Sequence, residues 1–223
     1  MTIETLSAWV LSIMLATIPP GKPRWPKEAR ESSEAGRARY AQIARTIAEV
    51  SMDEDETPIF SGPHARGKTA ALLLTISFHE SHWARHIDLG LGPLSRRGGG
   101  VYHCMMQIAV FKKKTPEGWT AKDLVKDRDK CFRRGLHILQ RARRYCMSKK
   151  YGPRSMLNLY ASGHCDHAHR PVNKRWRTYD AWLAKYPLAK AAKKKPSKKK
   201  APKKKKPRRE AEARRPSPHR EEG

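Results

Sequence analysis

Apolar residues recur along most of the chain at the spacing of an α-helix, with polar residues between them. Residues 36–50 carry their apolar side chains on one face, which predicts an amphipathic helix. Residues 68–83 are apolar nearly all round in their first two thirds, a pattern typical of a central core helix. A helix is predicted to begin near Ala121 with Thr120 as its cap, and a longer helix is predicted to follow with Asp129 as its cap. Two more helices are predicted to cover residues 153–162 and 174–184.

Two segments stand apart from this helical pattern. Residues 88–100 contain five glycines and therefore predict a loop or a short hairpin. Residues 6–18 are apolar and end at Pro19 and Pro20, which favours an N-terminal helix packed on the domain. An export or membrane-inserting segment remains the alternative, although Glu4 stands where an export signal is basic. Because a membrane span needs about 20 apolar residues, no transmembrane span is expected.

The pattern divides the chain into an N-terminal helix with its connection (1–36), a helical domain (37–187) and a tail (188–223). The tail consists largely of lysine and proline, and its few apolar residues cannot offset the entropy cost of ordering. The expected fold class is therefore mainly α, a helical domain with a small hairpin or glycine-rich loop, followed by a disordered basic tail.

The net charge of the chain indicates which kind of partner it is expected to bind. The formal net charge is +27, and residues 188–223 hold 16 Lys and Arg against 4 Asp and Glu, so +12 lies in the tail and +15 in the body. Such an excess favours polyanions. An anionic envelope polymer or nucleic acid is the expected partner of the tail, and a merely solubilising tail is the third interpretation.

Four cysteines, all in the middle of the chain, indicate the compartment. They are widely spaced and form no C-x-x-C pair, so a zinc ribbon or a thioredoxin-like motif gains no support. Their even number favours two disulfides and an oxidising, extracytoplasmic location. The alternative is four buried thiols in a reducing compartment.

The strongest candidate for chemistry is Glu80. The apolar run 70–78 leads into the string F-H-E-S-H-W, which places Glu80 at the end of the predicted core helix. Desolvation there is expected to raise the pKa of Glu80, and glycosidases use a protonated carboxyl as their general acid. The alternative is a surface glutamate paired with Arg85. Two further strings follow, C-M-M-Q-I at 104–108 and L-Y-A-S-G at 159–163.

In this order, E-S, M-Q-I, the segment C-F-R-R-G-L-H-I-L and Y-A-S-G resemble the soluble lytic transglycosylase branch of the lysozyme-like superfamily, over roughly residues 70–166. That family shows E-S, G-L-M-Q, N-I-x-x-G-x-x-Y-L and Y-N-A-G. The resemblance implies a lysozyme-like fold and cleavage of peptidoglycan without a cofactor. It also implies a protein of the cell wall or periplasm, with a phage lysin or virion-associated muralytic protein ranked above a cellular autolysin.

Carried over position by position, the resemblance makes Glu80 the catalytic acid and assigns substrate binding to Ser81, Gln107 and Tyr160. Gly135 matches the glycine of the third motif. Trp83, directly after the acid, is the best candidate to wall the cleft by stacking on a sugar ring, although aromatic residues at helical spacing are more often core.

The departures from the family motifs concern the cysteines. Cys104 stands where the family has glycine and Cys131 where it has asparagine, and Ala161 replaces an asparagine of the last motif. Since the two cysteine-bearing motifs meet near the family's cleft, the resemblance implies that Cys104 pairs with Cys131. That pairing leaves Cys146 with Cys165.

Two reaction courses remain open. In the resembled family a single carboxylate protonates the glycosidic oxygen, the substrate's own acetamido oxygen attacks the anomeric carbon, and a 1,6-anhydro end results. If Asp88 reaches the cleft, it could instead hold a water and give hydrolysis. The competing interpretation of Asp88 is a turn cap or a pair with Arg85. A non-catalytic binding protein on the same scaffold is the alternative outside enzymes.

One group of histidines lies around Glu80 and another follows the last motif, and neither has the spacing of a metal-binding motif. The string H-E-S-H is one residue short of the H-E-x-x-H spacing of zinc proteases. His164, Cys165, His167 and His169 form a second cluster. Polar cleft or surface histidines are the preferred interpretation of both groups, so no metal is expected.

Overall fold

The computed structural model describes residues 1–21, 31–92, 95, 100–166 and 170–189. Within them the chain is mainly helical, as predicted, and the helices are α1 (Ile3–Thr17), α2 (Ser33–Met52), α3 (Ala65–Ser81), α4 (Arg85–Asp88), α5 (Ala121–Lys126), α6 (Arg128–Ser148), α7 (Met156–Ser162) and α8 (Arg170–Lys185). A 3₁₀ turn, Pro153–Ser155, leads into α7. Two short antiparallel strands, β1 (Tyr102–His103) and β2 (Ile108–Ala109), pair Tyr102 with Ala109 and His103 with Ile108.

Helix α3 is the centre of the core. Its residues 70–74 and Ile76 are fully buried, and α1, α2, α6 and α8 all contact it. This all-round burial explains why the segment is apolar on every side. His82 (φ 52°) and Trp83 (φ 53°) adopt two consecutive left-handed conformations and end the helix.

The predicted N-terminal helix belongs to the same core. Helix α1 packs chiefly on α2, and Leu6, Val10, Ile13 and Met14 are fully buried. The division at residue 36 is therefore wrong, because it falls inside α2 and separates two helices that share one core. None of the helices in the described ranges is long and apolar enough to cross a membrane.

The C-terminal boundary also moves. Leu188 is 6 % exposed and packs against Gly67 of α3, so the folded body extends past the predicted end at residue 187. Only residues 188 and 189 of the predicted tail are described; residues 190–223 lie outside the described ranges. Helix α8 begins at Arg170, four residues before the predicted start.

Local capping explains where the helices before and at α6 begin. Thr120 caps α5 as predicted, and its hydroxyl accepts the backbone N–H of Asp123 in a capping box. Asp127 caps α6, where it accepts the backbone N–H groups of Asp129 and Lys130. The prediction that Asp129 is the cap was wrong, and Asp129 instead pairs with Arg133 one turn further on.

Two disulfides fasten α6 at both ends. Cys131 in its first turn joins Cys104 between the strands, with Cα atoms 6.2 Å apart, and Cys146 in its last turn joins Cys165 beyond α7, at 5.6 Å. These are the two pairs that the resemblance implied. They fit an extracytoplasmic protein, since disulfides persist in oxidising compartments.

Candidate active site

Glu80 lies in the last turn of α3, and its side chain is 16 % exposed. Its Oε1 accepts a hydrogen bond from Nη2 of Arg175 in α8 at 2.5 Å. Glu80 therefore faces a guanidinium, whereas its position at the end of an apolar run predicted desolvation, with an ion pair as the alternative. An arginine at this distance favours the charged form of a carboxyl.

Tyr160 of α7 bonds the turn between the two strands. Its hydroxyl donates to the backbone carbonyl of Met106 at 2.7 Å. Burial raises the pKa of Tyr160 well above its usual value; the charge of Glu80 adds to this, while those of Arg175 and Arg134 oppose it. The phenol is therefore a neutral donor, close enough to feel Glu80 and both arginines.

Gln107 follows Met106 in a tight turn between the two strands. Its backbone is left-handed (φ 47°), and its side chain is held by a hydrogen bond from Nε2 to the carbonyl of Cys104 at 2.9 Å. The residue is 7 % exposed, and its Oε1 is buried without a hydrogen-bond partner. Cys104 is left-handed too (φ 56°), a conformation that favours glycine, which is the family's residue at this position.

Helix α6 approaches this turn closely at Gly135. A Cβ at position 135 would lie 2.5 Å from Cε of Met106, so the glycine provides the room for the methionine. The Cys104–Cys131 disulfide joins the same two segments one turn earlier. The turn, the first half of α6 and α7 therefore meet around Met106 and Tyr160.

Two of the sequence-predicted binding residues do not reach a surface. Ser81 is fully buried, where its hydroxyl donates to the carbonyl of Ser77 at 2.7 Å and accepts the backbone N–H of Trp83 at 3.2 Å. Trp83 is also fully buried, donates from Nε1 to Ser77 Oγ and packs against Phe78 and Trp182. The predictions of a substrate-binding Ser81 and of a cleft wall at Trp83 were wrong, because both residues stabilise the core at the end of α3.

Asp88 is not an available second carboxylate. Its side chain is fully buried, and Arg128 donates to both of its oxygens, from Nε at 2.7 Å and from Nη2 at 2.8 Å. Arg39 Nη1 lies 3.6 Å from Oδ2. The condition for the hydrolytic alternative, an Asp88 that reaches the cleft to hold a water, is therefore not met in this structure. Its partners come from helices far away in sequence, which no local pattern around residue 88 could indicate.

Sequence reasoning missed Arg175. It is 11 % exposed, and its Nε and Nη1 are buried without a hydrogen-bond acceptor, while Nη2 bonds Glu80. Arg134 of α6 has one such atom, Nε, beside its ion pair to Glu117. A signal for Arg175 existed, since it lies four and seven residues before Tyr179 and Trp182 and so falls on the predicted inward face of α8.

His79 is the first histidine of the string H-E-S-H, which the sequence predicted to be a polar cleft or surface residue. Its Nε2 lies 2.9 Å from the hydroxyl of Thr178 in α8. Burial lowers the pKa of His79 from its ordinary 6.5 to about 4, and the charges of Arg175, Lys174 and His82 contribute. His79 is therefore neutral near pH 7, next to the Glu80–Arg175 pair in sequence and on the same helix interface.

One cleft in the described part of the chain lies on the other face of α8. It has a volume of about 740 Å³ and is lined by polar and cationic residues that include Arg154, Asn158, Arg170, Asn173, Arg177 and Asp180. Glu80, Gln107 and Tyr160 are not among its lining residues. Because Arg175 and Thr178 face α3, helix α8 lies between this cleft and Glu80.

The second histidine cluster is described only in part. Cys165 of the second histidine cluster is joined to Cys146 and so is not a free ligand, and His167 and His169 lie outside the described residues. Among the described residues, no three His, Cys, Asp or Glu side chains are grouped as a metal site would require.

Comparison of the chain with protein-family models, curated proteins and solved structures finds no match. The resemblance to lytic transglycosylases therefore rests on the motif residues alone.

Proposed function

We propose that the protein cleaves peptidoglycan at the β-1,4 bond between N-acetylmuramic acid and N-acetylglucosamine, as a lytic transglycosylase with a lysozyme-like fold. The observation that carries this proposal is the meeting of three separate motif segments around Met106 and Tyr160. The fourth segment carries Glu80, whose charge acts on the Tyr160 phenol. Such a meeting is expected of a site and is not required of unrelated short strings.

In the proposed reaction Glu80 donates a proton to the glycosidic oxygen as that bond breaks, and the substrate's acetamido oxygen bonds to the anomeric carbon. The ionised Glu80 then takes the proton of the sugar's C6 hydroxyl, whose oxygen displaces the acetamido oxygen and leaves a 1,6-anhydro end. Glu80 ends protonated, so the proton balance closes. The burial of Asp88 in its own ion pair supports this single-carboxylate course over hydrolysis by a lysozyme-type endolysin.

The proposed setting is the cell wall or periplasm, in the manner of a phage lysin or virion-associated muralytic protein. Two disulfides support an extracytoplasmic setting. Peptidoglycan is the proposed partner of the body, and an anionic envelope polymer or nucleic acid is the proposed partner of the basic residues at 190–223.

A second candidate function is favoured by one observation. Glu80 is paired with Arg175, and a paired carboxylate is poorly placed to act as an acid until substrate changes that contact. A non-catalytic protein on this scaffold would need no protonated acid at position 80, which agrees with the ion pair. Its net charge of +27 would favour binding to nucleic acid or to an envelope polymer.

One experiment separates these candidates. The purified protein is incubated with peptidoglycan sacculi, and the released muropeptides are analysed by mass spectrometry, with Glu80→Gln as the matched control. Transglycosylation gives products lighter by one water than those of hydrolysis. Release of muropeptides with reducing ends would identify hydrolysis and exclude transglycosylation. If no muropeptide is released and the protein shifts DNA in a gel, the non-catalytic binding protein is favoured.

A further inference from the structure

We propose that the α8 cleft, lined by Arg154, Arg170 and Arg177 on the face of α8 opposite Glu80, binds an anionic envelope polymer. The polymer chemistry that fits is a chain of hydroxyl-bearing units with a singly charged oxyanion on each unit. A polyol phosphate carries phosphodiesters and a uronic acid polymer carries carboxylates, and both have this chemistry. The site lies in the folded body, apart from the basic residues at 190–223, and does not depend on the proposed cleavage.

The lining of the α8 cleft is cationic. It contains three arginines and one carboxylate, a formal charge of +2. Arg154 donates to both oxygens of Asp180, from Nη1 at 3.0 Å and from Nη2 at 2.8 Å, so these two charges compensate each other. Within the part of the chain that the structure describes, Arg170 and Arg177 are exposed and form no ion pair. Because a guanidinium can bind two oxygens of a phosphate or carboxylate at once, these two side chains favour oxyanions as ligands.

The two uncompensated arginines are spaced for a chain and not for a single ion. Arg170, Asn173 and Arg177 stand at positions i, i+3 and i+7 of α8, so they form one stripe along the cleft. Seven residues of an α-helix advance about 10 Å along its axis. The cleft volume of about 740 Å³ is that of a site for an organic ligand, far larger than one ion needs.

The wall between the charges is polar. Asn173 lies between the two arginines of the stripe, and Ser155 also lines the cleft. An amide and a hydroxyl can each donate hydrogen bonds to hydroxyl groups and accept hydrogen bonds from them. A ligand with oxyanions at intervals and hydroxyl groups between them therefore matches both kinds of lining residue.

The same lining disfavours nucleic acid as the occupant. Proteins that hold single strands stack the bases on aromatic rings. Trp176, the aromatic residue of the lining, is only 6 % exposed, and the guanidinium of Arg154 lies over its ring, 4.9 Å from the centroid. The indole Nε1 donates to the backbone carbonyl of Arg154 at 3.2 Å. The ring is thus part of the wall and offers no face to a base.

The test measures the affinity of the full chain for three labelled probes of equal charge by fluorescence anisotropy: a short polyglycerol phosphate, an oligogalacturonate and an oligothymidylate. The cleft variant is Arg170→Gln/Arg177→Gln. The matched control is Arg141→Gln/Arg144→Gln, which removes two arginines of α6 that are exposed and lie outside the cleft lining. Both variants keep residues 190–223 and lose the same charge, so a difference between them isolates the cleft.

The cleft variant is expected to bind polyglycerol phosphate, oligogalacturonate or both at least ~10-fold more weakly than the control variant does, because it loses two charge-assisted hydrogen-bonding groups. Its affinity for oligothymidylate should equal that of the control. A loss confined to polyglycerol phosphate would identify the phosphodiester as the group that is bound, and a loss confined to oligogalacturonate would identify the carboxylate.

Three results would overturn the proposal. The first is a cleft variant that binds all three probes as tightly as the control variant, which would leave polyanion binding to charge elsewhere on the chain. The second is a loss of oligothymidylate binding as large as that for the other probes, which would indicate a nucleic-acid surface. The third is a wild-type protein that binds neither polyglycerol phosphate nor oligogalacturonate. If the double variant does not fold, Arg177→Gln compared with Arg144→Gln decides the matter.

Discussion

Two carboxylates, Glu80 in the last turn of the core helix α3 and Asp88 at the end of α4, are both paired with arginine. They differ in the other hydrogen bonds that their arginines make. Arg128 donates to both oxygens of Asp88 and also to Gln42, and Arg39, beside Asp88, bonds Glu31 and the carbonyl of Trp83. The Asp88 cluster thus uses its hydrogen bonds within the protein. This closure identifies Asp88 as part of the fold, where it joins α2 and α6 to the end of α4.

The Glu80 pair has a different character. Arg175 gives one nitrogen to Glu80 and keeps two buried N–H groups without an acceptor, and Gln107 nearby keeps a buried oxygen without a donor. Such open positions are costly for stability, and proteins tend to retain them where a ligand completes them. We therefore infer that hydrogen-bond completeness, more than burial or ion pairing, separates the structural carboxylate from the candidate catalytic one.

The largest expected effect is a loss of stability when the Asp88 cluster is broken. Asp88→Asn leaves Arg128 without its buried counter-charge, and breaking a buried pair in this way costs about 3–5 kcal/mol of unfolding free energy. Urea denaturation measures the loss, and Arg45→Gln, at an exposed pair, is the control and should change the free energy by less than ~1 kcal/mol. Activity per folded molecule should survive. A stable but inactive Asp88→Asn protein would return Asp88 to the list of catalytic candidates.

The two disulfides provide the next contrast. Replacing either pair by alanine should cost about 3 kcal/mol of unfolding free energy, because each bridge closes a loop of similar length. Only the Cys104–Cys131 bridge holds the turn that carries Gln107, so its loss should also lower activity per folded molecule. Equal activity in both alanine pairs, measured on sacculi at a temperature where both are folded, would show that the turn needs no such support.

At the Glu80–Arg175 pair the main expected effect is on activity. Glu80→Gln should lower the rate of muropeptide release at least ~100-fold, the lower scale of general acid–base catalysis, while the protein stays folded. The measurement is the initial rate on sacculi at equal concentrations of folded protein, judged by circular dichroism. A folded Glu80→Gln protein with a near-normal rate would remove Glu80 from the site and with it the contrast to Asp88.

The sequence predicts the helices of this fold well because their apolar periodicity reflects burial directly, as it does for α3. It also indicates which motifs meet, since Gly135 and the paired cysteines are responses to close approach. It fails for Asp88 and Arg175, whose partners are 40 and 95 residues away along the chain. Trp83 misleads for a related reason, because a position next to Glu80 in sequence says little when two left-handed residues turn the chain into the core.

The smallest effect separates the two regions by their pH dependence. The pKa of His79 is lowered to about 4 in the folded protein, against about 6.5 in the unfolded chain. Between these values the unfolded state binds more protons, so the stability that the neutral His79 contributes is complete above pH 6.5 and is lost as the pH falls toward 4. Because His79 is only partly buried and water screens its charge, we expect a loss of only about 1 kcal/mol between pH 7 and pH 5.

Urea denaturation at both pH values measures this loss. His79→Gln, which can still hydrogen-bond Thr178 but does not titrate, should flatten the dependence, and Asp88→Asn should keep it, since His79 and the charges that lower its pKa lie at the interface of α3 and α8. An unchanged pH slope in His79→Gln would assign the titration to another group. If the pH slope disappears in Asp88→Asn, the region around Asp88 and the region around Glu80 and His79 are energetically coupled and do not act independently.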